Sequence, residues 1–118
     1  MGGIMKKVVI GKVTSPVVGY LGRVCGLAGL SVVGRASYWD AAVEIAVKKD
    51  AEIVILGDYL PREGDGARAA EQLRRLPNPP RIVAFSVSDV SFGDEGLRID
   101  QNETRLSRLI EIFSGLAQ

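Results

Sequence analysis

The sequence predicts an α/β fold built on a doubly wound, five-stranded parallel sheet, and three observations predict it. Ile53-Val54-Ile55-Leu56 is a continuous apolar run, rich in β-branched residues and closed by Gly57 and Asp58. It is too short for a buried helix and lacks polar alternation, which is the pattern of a strand covered on both faces. Strand-like and helix-like segments alternate along the chain, the order that puts right-handed crossover helices on both sides of a parallel sheet. The length, 118 residues, is enough for one sizeable core and too short for two.

In chain order, Lys7 to Gly11 reads as the first strand. Ser15-Pro16 starts a helix with an N-cap and a proline at its first turn. Val17, Val18, Leu21, Val24, Cys25 and Ala28 form its apolar stripe. Gly19, Gly22 and Gly26 weaken this helix by up to about 1 kcal/mol each, and their spacing predicts close packing on the sheet. Leu30 to Ala36 is a second strand with polar residues mixed in, as an edge requires. Ser37 caps a helix over Tyr38 to Lys49, with Ala42, Val43, Ile45, Ala46 and Val47 on its apolar side. Ala51 to Gly57 is the third strand. Pro61, Gly64 and Gly66 break the chain into a loop before a helix over Ala67 to Leu76. After Pro77-Asn78-Pro79-Pro80, a stiff connector, Arg81 to Ser86 is a fourth buried strand. Val87 to Gly96 has two glycines and no helical period. Leu97 to Ile99 is a short fifth strand. Asn102 caps a last helix through Leu106, Leu109, Ile110, Phe113 and Leu116. The natural strand order for such a chain is the flavodoxin-like 2-1-3-4-5.

Composition excludes several functions. Apolar residues make up 47% and charged residues 25%, with a net charge of +1. The arginines are scattered rather than striped, so the sequence predicts no nucleic-acid partner. No apolar run approaches the roughly 20 residues of a membrane span, and a cytoplasmic protein is expected. The single cysteine, Cys25, forms no disulfide framework. There is no histidine, which removes Ser-His and Cys-His nucleophiles and histidine-ligated metals. No nucleophile–base or acid–base pair can be assembled, and no catalytic residue, cofactor or metal is predicted.

In open α/β sheets the ligand crevice lies beyond the carboxyl ends of the central strands, so the residues after Leu56 are where function is sought. Here the sequence resembles the receiver domains of two-component response regulators (CheY-like). The resemblance is carried by Lys6-Lys7-Val8-Val9-Ile10 and by Leu30 to Ser37. Glu52 to Leu56 with Leu60-Pro61 and Asp65-Gly66 continue it, followed by Arg81 to Ser86. It covers residues 5 to 88 well and the remainder poorly, and it implies one receiver-like domain over 1–118.

The resemblance also shows what has been lost. In the family the phosphoacceptor aspartate stands four residues before the loop proline, and that position here is Gly57. Asp58 is next door, but one step along a strand turns a side chain to the opposite face. Only a loop distortion would make it a substitute acceptor. Where the family has two acidic residues to hold magnesium, this chain has Lys12-Val13-Thr14. The family's hydroxyl after the fourth strand is present as Ser86. Its lysine after the fifth strand falls near Asp100, with Gln101 in place of the usual proline, and Lys12 and Asp100 are candidates for a structural ion pair across the strand ends, of modest energy if exposed. Val87 to Gly96 is too short for the family's fourth helix, which should be missing or reduced to a turn.

These departures imply a pseudo-receiver, free of the phosphorylation switch. The expected function is a protein-interaction or regulatory module that binds a protein partner or itself. Degenerate receivers occur alone and as the front domain of larger proteins, such as the localisation ATPases of tight-adherence pilus systems. The alternative is a sensor of a nucleotide or other small anion, using Lys12, Thr14, Asp58 and Ser86. For the interaction module, the last helix offers Leu109, Ile112, Phe113 and Leu116 as a homodimer face. With the fourth helix gone, the flank at Ile112 lacks an intramolecular cover unless the acidic loop folds down there with Phe92. Trp39 is a further interface candidate. Asp89, Asp94 and Glu95 read as a mobile acidic loop.

Overall fold

The computed structural model describes residues 5–12, 15–86, 92–94, 98–100 and 105–118. The strands are β1 (Lys7–Gly11), β2 (Ser31–Ala36), β3 (Ile53–Gly57), β4 (Arg81–Ser86) and β5 (Arg98–Asp100). The helices are α1 (Ser15–Leu27), α2 (Trp39–Lys49), α3 (Asp65–Arg74) and α4 (Leu106–Ala117). All strand pairs are parallel, in the order β2-β1-β3-β4-β5, as the alternating pattern predicts. Among the described residues β4 is followed by β5 with no helix between them.

Every residue of β3 is buried, and successive residues serve opposite cores because side chains alternate across a sheet. Val8, Ile10, Ile53, Ile55, Val83, Phe85 and Ile99 face one layer, with Leu21, Val24 and Cys25 of α1 and Leu109, Phe113 and Leu116 of α4. Val9, Val54, Leu56, Ile82 and Ala84 face the other, with Ala42 and Ala46 of α2 and Ala69, Ala70 and Leu73 of α3. The small residues of α2 and α3 let both helices lie close to the sheet. At β2 the fit is closer still: a Cβ on Gly34 would lie 2.3 Å from Cγ2 of Ile45.

Several local expectations are corrected. The residue at the N-cap of α2 is Tyr38, in extended conformation and without a side-chain cap bond, rather than Ser37. Instead the Asp40 carboxylate accepts from the Ala41 N–H at 2.9 Å. Helix α3 begins two residues early, at Asp65, because that carboxylate accepts from the Arg62 N–H at 3.0 Å and closes the turn. Helix α4 begins at Leu106 with Arg105 at its cap. Asn102 lies outside the described residues. In α1, space is open beyond Gly19 and Gly26, and both are exposed. The glycine spacing therefore does not press this helix onto the sheet; Gly22 alone of the three has a close neighbour, the Arg35 guanidinium.

Phe92 and Asp94 close the far side of the sheet. The Asp94 N–H donates to the Ile82 carbonyl at 2.8 Å, and its Oδ2 accepts from the Ile82 N–H at 3.0 Å. Its Oδ1 pairs with Arg74 at 3.1 Å, while the same guanidinium donates to the Phe92 carbonyl. Since β5 pairs only with Ala84 to Ser86, Asp94 satisfies the part of the β4 edge that β5 does not reach. Phe92 thus folds down on the α2–α3 layer, not over the last helix. Asp94 is a pinned residue; Asp89 and Glu95 lie outside the described set.

Candidate functional site

The corner at the carboxyl ends of β1 and β3 follows from their register. Gly11 lies opposite Leu56, so one step further Lys12 comes beside Gly57. Lys12 is buried, with 6% of its surface exposed. Its side chain runs over Gly57: a Cβ built there would lie 2.6 Å from Lys12 Cδ and 3.2 Å from Nζ. The space in which an acceptor carboxylate would grow is therefore filled by the lysine stem and its ammonium.

Burial pushes the Lys12 pKa below its ordinary value of 10.5, and the Asp58 carboxylate acts in the opposite direction. Desolvation disfavours the charged form while a nearby opposite charge favours it, and here desolvation is the larger. Asp58 is half-buried, and its carbonyl accepts from the Gly66 N–H at 3.1 Å. That contact brings the start of α3 against the end of β3. A Cβ on Gly66 would lie 2.1 Å from the Gly57 carbonyl oxygen, so glycine is required at the Asp65-Gly66 pair by backbone approach.

Ser86 ends β4 and is buried at 2% exposure. The register sets it beside Asp100 on β5, and the Arg98 guanidinium donates to its carbonyl at 3.3 Å. β5 is the edge strand, separated from β1 by β3 and β4. The charge of the Asp58 carboxylate acts on Lys12. Thr14 lies outside the described residues. The resemblance implies Mg²⁺, which wants several oxygen ligands in near-octahedral geometry. An ammonium over a glycine, with one carboxylate alongside, does not fit that ion. Among the described residues no cluster of three or more His, Cys, Asp or Glu side chains is placed to hold a metal.

The interface candidates separate by burial. Leu109, Phe113 and Leu116 are core residues, at 1%, 0% and 2% exposure, and cannot present a surface. Ile112 is half-buried against the same core. Leu106, at 44%, is the exposed apolar residue of α4. Trp39 is half-buried at the start of α2; its N–H donates to the Leu60 carbonyl at 2.9 Å. The Arg68 guanidinium lies 5.4 Å from its ring centroid. Sequence reasoning missed this stacking because it began α3 at Ala67. With the helix starting at Asp65, Arg68 falls one turn in.

No helix among the described residues is long and apolar enough to cross a membrane. No family model matches the sequence, and the search of curated proteins gives no match. Solved structures do match. The signal receiver domain of NarL from Mycobacterium tuberculosis aligns at a TM-score of 0.81 and 21% identity, over 98% of each chain. CheY in the CheX–CheY complex of Borrelia burgdorferi aligns at 0.79 and 15% identity, over 97% of this chain and 90% of that one. HP1043, an orphan response regulator of H. pylori, aligns at 0.76 and 10% identity, over 96% and 97%. Parallel order, alternating layers and these alignments agree: the chain has the CheY-like receiver fold.

Proposed function

We propose that this chain is a phosphorylation-independent receiver module that regulates by binding protein, either a partner or a second copy of itself, alone or as the front domain of a longer protein. One observation carries the reading: Lys12 fills the space over Gly57 where an acceptor and its dication would have to sit. A receiver switches by placing a phosphoryl group and a metal at that corner. With an internal cation built in, the corner is held in one electrostatic state. The partner-binding half draws support from the CheX–CheY complex, in which a protein of this fold is bound to another protein. The orphan regulator of H. pylori shares the fold as well.

The test is chemical. Incubated with acetyl phosphate and Mg²⁺, the intact protein should gain no phosphoryl mass. A Mg²⁺-dependent gain that disappears in Asp58→Asn would make Asp58 the acceptor and overturn the reading. A small-anion sensor at Lys12, Thr14, Asp58 and Ser86 is the competing function. The Lys12 charge is buried and already faces the Asp58 carboxylate, which disfavours a second anion. Saturable thermal stabilisation by phosphate or ATP, lost in Lys12→Met, would favour the sensor instead.

A further inference from the structure

β2 is the outer strand of the sheet and pairs only with β1. Among the described residues no strand meets its other side, and Ser31 to Gly34 are half-buried. It is six residues long, against three for β5 at the opposite edge. An unpaired edge is a row of N–H and C=O groups that accepts another strand, and native edges are blunted by lysine, proline or bulges. β2 carries no lysine and no proline. Its ladder slips at Val33, since Val8 pairs with Val32 and Val9 with Gly34, which adds twist but no charge. The one charged side chain, Arg35, lies along Gly22 of α1.

The helices on the two faces carry patterns centred at the same level of this strand. Gly34 packs on Ile45, which marks the flank of α2 that overlooks the edge. Helical spacing puts Ala41 and Lys48 on that flank with Glu44 beside them. Trp39 lies on the opposite flank, against Arg68 of α3. Glu44 and Lys48 are exposed and opposite in charge, and the point midway between them falls one residue from Ile45. On the other face, the contact of Arg35 with Gly22 marks the flank of α1 that overlooks the edge. Gly19 and Gly26 share that flank, with open space beyond both, and the point midway between them falls beside Gly22.

We propose that β2 pairs antiparallel with β2 of a second copy about a two-fold axis near Gly34, joining two five-stranded sheets into one. The inference rests on the protein-binding reading above and commits it to self-association through this edge. Charge complementarity selects the occupant, because a two-fold interface must complement itself. The axis sets Glu44 against Lys48 of the partner subunit, and Lys48 against Glu44 of the partner subunit. On the other face it sets Gly19 against Gly26 of the partner subunit, where the helices approach closely. That approach gives a use to two glycines that weaken α1 and pack on nothing within the monomer.

The test is the oligomeric state by sedimentation and light scattering, at low and high salt. The wild type should dimerise, and deuterium uptake across β2 should fall as concentration rises. Glu44→Lys and Lys48→Glu each bring like charges together across the axis, so each alone should raise the dimer Kd at least about tenfold. An equimolar mixture of the two variants should regain wild-type affinity, which loss of folding would not allow. Gly26→Gln should block the dimer while raising the thermal midpoint of the monomer, since the space there is open and glutamine favours the helix. A wild type that stays monomeric, a mixture that does not re-associate, or unchanged dimers in Gly26→Gln would overturn the assignment. So would a dimer lost in Leu106→Glu alone. A monomer that also takes no phosphoryl group from acetyl phosphate removes this edge and leaves the module reading with another protein as partner. A Mg²⁺-dependent phosphoryl gain removes the module reading itself.

Discussion

At the residue scale, the proposed reading rests on the pair Lys12–Gly57. Restoring an acceptor by Gly57→Asp should not restore phosphotransfer. The new Cβ would sit 2.6 Å from Lys12 Cδ, and once the flexible stem shifts, the ammonium pairs with the new carboxylate where a metal would bind. Intact-mass analysis with acetyl phosphate and Mg²⁺ should show no gain; robust labelling of the single variant would mean that Lys12 is not the block. Cys25 gives a second residue-scale test. Burial pushes its thiol from 9.0 up to about 12, against a smaller lowering by Arg35. The folded pKa is raised, so this contribution to stability is whole below pH 9.0. From 9.0 to about 12 the unfolded chain releases the proton first, and stability falls as pH rises. In Cys25→Ala that share of the alkaline loss should vanish, read as a shallower decline in urea midpoint above pH 9.0 than in the wild type.

At the element scale, β5 is only three residues long and leaves part of the β4 edge without a strand partner. Asp94 takes over with a backbone donor and a side-chain acceptor on Ile82, tied to α3 through Arg74. Asp94→Ala strips the Ile82 N–H of its partner and should cost about 1–3 kcal/mol. Asp94→Asn, which keeps an acceptor oxygen, should cost less. Equal denaturation midpoints for wild type and Asp94→Ala would show that solvent satisfies that edge equally well. The Arg74–Asp94 pair is itself partly exposed, at 42% and 36% of side-chain surface, so its charge attraction is the smaller part of the effect.

At the scale of the whole molecule, α4 is the other surface on which self-association is tested. Its buried residues are spent on the monomer, so a homodimer through this helix must use a flank of the buried stripe, with exposed Leu106 on one side of it and half-buried Ile112 on the other. Leu106→Glu should convert a dimer of that kind to a monomer by light scattering, leaving the circular-dichroism spectrum unchanged. Ile112→Glu should do so where the dimer uses the opposite flank, and at a greater cost in stability, because Ile112 also packs on the core. A wild-type protein that is already monomeric at high concentration would remove α4 as a self-association surface.

The sequence by itself determined the sheet, because burial on both faces leaves a local signature. Ile53 to Leu56 suits an inner strand by its length and β-branched content, and the βα alternation around it constrained the strand order. That a glycine stands four residues before Pro61 was equally legible, since it follows from counting back. Contacts distant in sequence were not. That Lys12 lies across Gly57 depends on the register of β1 against β3, which no local pattern announces. Phe92 carries no local sign of which layer it joins; the fold of residues 92–94 onto Ile82 and Arg74 sends it to the α2–α3 side. The glycines of α1 suggested close packing that the helix's rotation does not provide. The Trp39–Arg68 stack required the true start of α3. Hydrophobic periodicity is a property of neighbours along the chain, whereas a site is made where strands and loops meet, and only the tertiary structure fixes that meeting.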